Sequence, residues 1–199
     1  MLLWLIIGGI AVVVVAVVLA LLLTNMAGGG TSGEPARNPV KVSGQPLPAL
    51  PASGADPAVG QALPTISGMT FDGSPMSIGP SDGPAVILVL AHWCPHCQAE
   101  VPRVQQWIES GGVPEGVKLM TLTTSISSTR PNFPPSAWLQ REHWTPPVLV
   151  DDANSTGLTA LGFNSFPGFL FVKADGTVFA RTTGELPVEQ IASVANQLR

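Results

Sequence analysis

Apolar and polar positions divide the chain into three regimes. Leu2 to Leu23 carries no charged side chain and almost no polar one. As a helix rising ~1.5 Å per residue, such a run is roughly 33 Å long, enough to cross a ~30 Å hydrocarbon core. Gly8 and Gly9 are tolerated in such a helix. A cleaved signal peptide would need a basic leader and a shorter apolar stretch, whereas the first basic residue is Arg37. The pattern therefore predicts a transmembrane anchor over residues 1–25. Residues 26–59 show no apolar period and are rich in Gly, Pro, Ser and Ala, including Gly28-Gly29-Gly30 and Pro46-Leu47-Pro48. They predict a flexible linker that becomes more extended toward its prolines.

Residues 60–199 show the alternation of a folded domain. Short β-prone pieces around Asp72-Gly73 predict a hairpin over Pro64 to Ile78. Ala85 to Ala91 is an apolar, β-branched run, as expected of a strand covered on both faces. A helix should follow from about Cys94 to Ser110, with Val101, Val104 and Ile108 on one face, Pro102 kinking it and Gly111-Gly112 ending it. Val117 to Thr123 reads as a second strand, so strand–helix–strand gives a parallel unit. The Ser-, Thr- and Pro-rich insert Thr124 to Pro147 has room for a short helix over Ser136 to His143. Val148 to Val150, a helix over Ser155 to Leu161, and a hairpin of Phe169–Val172 and Thr177–Arg181 around Ala174-Asp175-Gly176 come next. A final helix over Pro187 to Leu198 carries the stripe Ile191, Val194, Ala195 and Leu198. The sum is an α/β domain with a mixed central sheet and helices on both faces.

Charge and cysteine usage narrow the chemistry. The formal net charge of −4 leaves no basic footprint for nucleic acid. The chain has 2 cysteines, Cys94 and Cys97, separated by Pro95-His96 and placed where the apolar strand meets the helix. That spacing points to redox chemistry or metal binding rather than a structural staple. A cysteine at a helix start meets free backbone N–H groups and the positive end of the dipole, which stabilise a thiolate. Protonated His96 in the first turn would add to that effect. Pro95 sacrifices no helical hydrogen bond there. Cys94 is thus the candidate nucleophile and Cys97, deeper in the helix, the resolving thiol. Glu100 shares a helix face with Cys97. It reads either as an acid exchanging a proton with that thiol or as an ordinary solvated glutamate. Trp93 reads as a substrate-facing rim or as a side chain packed on the sheet. His92 and His143 read as surface or satisfied polar positions, and Trp138 and Trp144 either as lining a recognition surface or, preferred for large aromatics, as pinning the insert to the core.

The ordered set Trp93-Cys94-Pro95-His96-Cys97, Glu100-Val101-Pro102, Thr145-Pro146-Pro147-Val148-Leu149-Val150-Asp151, Phe166-Pro167 and Ala174-Asp175-Gly176-Thr177 resembles the membrane-anchored TlpA/ResA-like thiol–disulfide oxidoreductases. The resemblance covers roughly Gly60 to Arg199. It implies a thioredoxin-like fold, a redox-active Cys94–Cys97 disulfide without other cofactor, and a proton-exchanging role for Glu100. It also implies a cis peptide before Pro167 that lays the Phe166 backbone beside the disulfide, where a substrate strand could pair. Protein thiols and disulfides would be the substrates, with a membrane electron donor or acceptor as redox partner, and the protein would be monomeric. Two positions depart from the pattern: Leu88 stands where many thioredoxins carry an acid, and Phe166 where Thr or Val is usual. Pro95-His96 resembles the dipeptide of the oxidant DsbA, so the direction of electron flow stays open.

Alternatives from other classes are a copper or zinc carrier, a thiol peroxidase, and a binding module with inert cysteines. The carrier would need a further well-spaced ligand pair, and no cysteine follows Cys97. Arg37 and Lys41, after the anchor, lean against export by the positive-inside rule. Disulfide management outside the cytosol favours an extracytoplasmic domain on a single-pass anchor.

Overall fold

A computed structural model describes residues 39–199; the expected anchor (1–25) and the first part of the expected linker (26–38) lie outside the described residues. The described strands are β1 (Lys41–Ser43), β2 (Thr65–Met69), β3 (Pro75–Ile78), β4 (Ala85–Leu90), β5 (Lys118–Thr123), β6 (Val148–Val150), β7 (Gly168–Val172) and β8 (Val178–Thr183). The helices are α1 (Pro95–Glu109), α2 (Pro135–Arg141), α3 (Thr156–Ala160) and α4 (Val188–Ala195). Among the described residues, no helix is long and apolar enough to cross a membrane.

The centre is β4, whose six residues are all buried. It pairs in parallel with β5 and antiparallel with β7. The eight-stranded sheet runs β1-β2-β6-β5-β4-β7-β8, with β3 paired to β2. The parallel β4–α1–β5 crossover and both hairpins form as the hydrophobic pattern predicts.

Successive side chains of β4 point to opposite faces of the sheet, and each face has its own apolar layer. Ile87 and Val89 pack with Ile66, Ile78, Leu122 and Leu149, beneath Leu158 of α3. Val86, Leu88 and Leu90 pack on the other side with Cys97, Val101 and Val104 of α1, Phe169, and Ile191 of α4. Each fully buried Val, Leu or Ile contributes about 2 kcal/mol of apolar transfer free energy. Trp138 is buried in this second layer and anchors α2, while the Trp144 indole donates to Thr121 Oγ1 at 3.0 Å.

The structure corrects the extent of the linker. Residues 39–59 pack against the domain, with Val40, Leu47 and Ala58 buried. The Leu47 and Leu50 amides donate to the carbonyls of Ala160 and Gly162, at 2.9 and 2.8 Å. Asp56 accepts from the buried Arg181 guanidinium at 2.9 Å (Nε to Oδ2) and 2.5 Å (Nη2 to Oδ1). Arg181 Nη1 also donates to the carbonyls of Pro48 and Leu161. Composition suggested a linker because the apolar residues here are spaced by neither helix nor strand period. They are held by long-range partners instead.

Candidate active site

Strand β4 ends at Leu90, and four residues later Cys94 occupies the N-cap of α1 with extended backbone (φ −77°, ψ 120°). Its amide donates to the Ala91 carbonyl at 3.0 Å, and its carbonyl accepts the Gln98 amide at 3.1 Å. Pro95 fills the first helical position, where a backbone N–H would have no helical partner. The Cys94 side chain is thereby set at the end of the helix that carries uncompensated amides.

The Phe166–Pro167 peptide bond is cis, as the resemblance implied. The Phe166 carbonyl lies 3.7 Å from Cys94 Sγ and accepts from its thiol. The Phe166 ring meets Trp93 edge to face at 5.8 Å, and the Trp93 indole donates to the Ser125 carbonyl at 2.8 Å. The Arg130 guanidinium lies 5.0 Å from the Trp93 ring. Trp93 is therefore held in place by Phe166, the Ser125 carbonyl and Arg130.

Cys97 is fully buried one turn further along α1, and both cysteines are free thiols. Burial pushes the Cys97 thiol well above its ordinary value; Cys94 and the Glu100 carboxylate push the same way, against an opposing Ala91 backbone hydrogen bond. Glu100 is 0% exposed. Its Oε2 accepts from Arg103 Nη2 at 2.6 Å and from the Leu186 amide at 3.3 Å. Its Oε1 has no hydrogen-bond partner. Burial raises the Glu100 carboxyl above the ordinary range, with Arg103 pulling the other way. Glu100 is therefore not the solvated surface glutamate of one sequence reading.

His96 lies outside this cluster. Its side chain is 68% exposed, and Nδ1 is 2.7 Å from Glu185 Oε1. The imidazole is thus engaged by a carboxylate rather than by Cys94. His92 is buried and satisfied: Nδ1 donates to the Pro131 carbonyl at 2.7 Å, and Nε2 accepts the Ser127 amide at 3.2 Å. Leu88 is buried on the same face of the sheet as Cys97, so the acid beneath the cysteines comes from the helix and not from the strand.

Sequence reasoning missed Arg103 and Glu185. The Glu100–Arg103 spacing of three residues on one helix was a readable signal. Glu185, in the loop between β8 and α4, lies 89 positions from His96 and left none. Among the described residues, no three His, Cys, Asp or Glu side chains converge as metal ligands.

The sheet order, the Cys-x-x-Cys at the start of α1 and the Xaa-Pro turn facing it define a thioredoxin-like α/β fold. Solved structures share it. StoA from Bacillus subtilis is 20% identical, with 69% of this chain and 98% of StoA covered and a TM-score of 0.55. A secreted Mycobacterium tuberculosis disulfide oxidoreductase, described as homologous to E. coli DsbE, is 20% identical over 66% of this chain and 95% of its own, with a TM-score of 0.54. The exposed lipoprotein thioredoxin Etrx1 of Streptococcus pneumoniae is 20% identical over 67% of this chain and 99% of its own, with a TM-score of 0.55. No family model and no curated protein matches the chain.

Proposed function

We propose that the chain is a thiol–disulfide oxidoreductase that exchanges disulfides with protein substrates through Cys94 and Cys97. One observation carries this reading: the thiol of the N-cap residue faces the Phe166 carbonyl, with a second, buried thiol and a buried carboxyl further along the same helix. In the reductive direction, the Cys94 thiolate attacks a substrate disulfide and expels one substrate thiolate, forming a mixed disulfide. Cys97 then loses its proton and attacks Cys94 Sγ; the Cys94–Cys97 disulfide forms and the second substrate thiolate leaves. The oxidative direction is the reverse. Burial opposes ionisation of Cys97, so its attack needs a proton acceptor within the protein. Glu100, equally buried, three residues further along α1 and with Oε1 unpartnered, is assigned that role. The Phe166 backbone and the Trp93 ring form the edge on which an extended substrate segment would lie.

The sequence pattern at residues 1–25 supports a membrane tether, and the chemistry supports an extracytoplasmic domain acting as a monomer with a membrane redox partner. A Cys97→Ser variant should retain protein substrates as mixed disulfides on Cys94, released by dithiothreitol and absent from Cys94→Ser. Failure to form any such adduct, with substrates or with oxidised glutathione, overturns the proposal. Protease treatment of intact cells should digest the domain; full protection would place it on the cytosolic side.

A further inference from the structure

Glu185 joins the two halves of the site. Its Oε1 lies 2.7 Å from His96 Nδ1, and its Oε2 lies 2.7 Å from Arg103 Nη2. The same Arg103 nitrogen donates to Glu100 Oε2 at 2.6 Å. A single chain of contacts thus runs from the exposed histidine between the cysteines, through Glu185 and Arg103, to the buried carboxyl behind Cys97. His96 and Arg103 are both turned toward carboxylates. The Cys94 thiol has the Phe166 carbonyl as its partner, not the imidazole.

We propose that Glu185 sets the dithiol–disulfide balance of the Cys94–Cys97 pair by compensating His96 and Arg103, making the pair less oxidising than Cys-Pro-His-Cys alone implies. This rests on the thiol–disulfide reading above. The equilibrium is Cys94–Cys97 disulfide plus two glutathione thiols giving the dithiol plus glutathione disulfide. One S–S bond breaks and one forms, and two electrons and two protons pass to the protein. In the reduced state a proton can leave Cys94, and the negative charge then born on Sγ is favoured by nearby cations and disfavoured by nearby anions. Glu185 acts against that charge twice, through its own field and by engaging the His96 imidazole and the Arg103 guanidinium. Removing it shifts both contributions toward the reduced form. Glu185 is a positioning residue, since it touches neither sulfur.

The site of the charge pairs is solvent-accessible, so the effect is modest and screened by salt. At low ionic strength, Glu185→Gln in the full-length chain should move the glutathione equilibrium about threefold toward the dithiol, roughly 14 mV for a two-electron couple. Glu185→Asp should lie between the two. In a His96→Ala background the same Glu185→Gln change should give less than half of that logarithmic shift. An unchanged equilibrium constant in Glu185→Gln, with wild type still forming the Cys94–Cys97 disulfide, overturns the role of Glu185 and leaves thiol exchange standing. An equal shift with and without His96 overturns the coupling through the imidazole. Absence of a Cys94–Cys97 disulfide in wild type at every glutathione ratio overturns both readings.

Discussion

At the residue scale, the determining contrast is between Cys94 and Glu100. One is a thiol placed where helix amides converge, and the other a carboxyl placed where water does not reach. Burial holds the Glu100 carboxyl above its ordinary 4.5. As pH rises past that value, the unfolded chain releases a proton that the native state keeps. Stability associated with this group is therefore present below about 4.5 and lost as pH rises through the folded value. Glu100→Gln removes the titration, so its urea midpoint relative to wild type should climb from pH 4.5 to 7.5. The same variant should slow resolution of a preformed mixed disulfide about 10²-fold, the low end of general-base effects. Stopped-flow measurement of thiol release reads this directly, and an unchanged rate would remove Glu100 from the proton path. The two cysteines and Glu100 were legible in sequence because strand end, helix cap and one helical turn are all local geometry. The engagement of His96 was not, since its partner arrives from the far end of the chain.

At the scale of elements, the segment 39–59 shows what composition conceals. Strand β1 is three residues long and packs at the sheet edge, too short to produce an alternation that can be read. The clasp that holds the segment joins residues 125 positions apart, Asp56 and Arg181. Its two ends are unequal: the Arg181 side chain is 0% exposed and that of Asp56 12%. Removing Asp56 strands a buried cation, whereas removing Arg181 leaves a carboxylate close to solvent. Asp56→Ala should therefore cost about 3 kcal/mol in urea denaturation, and Arg181→Met distinctly less. Equal losses would mean that the carbonyls of Pro48 and Leu161 satisfy Arg181 by themselves. Gly162 tests the same clasp from below. It adopts φ +71°, and a Cβ there would run into the Pro48 carbonyl and the Arg181 guanidinium. Gly162→Ala should loosen residues 39–59, measured as faster proteolytic nicking in that segment. The elements with the strongest local signal, the unbroken apolar run of β4 and the helical spacing of α1, appear where the pattern places them.

At the scale of the whole domain, β4 divides the interior into two layers, and only one of them contains the cysteines. Adjacent residues of the strand therefore belong to different environments. Ile87→Ala and Leu88→Ala should each destabilise the domain by about 2–5 kcal/mol, as large-to-small core changes do. Only Leu88→Ala opens space in the layer that holds Cys97, so it alone should also change the glutathione equilibrium. Matching shifts from both variants would show that stability loss by itself perturbs the thiols. The fold class was legible because the alternation of strands and helices survives in order. The partition was not, because an all-apolar strand gives no sign of which face holds which partners. The two-sided interior also has an engineering reading. Substitutions confined to the layer of Ile66, Ile78 and Leu149 give a route to a hardier protein with its electron transfer unchanged, and that layer is where heat tolerance should be sought first.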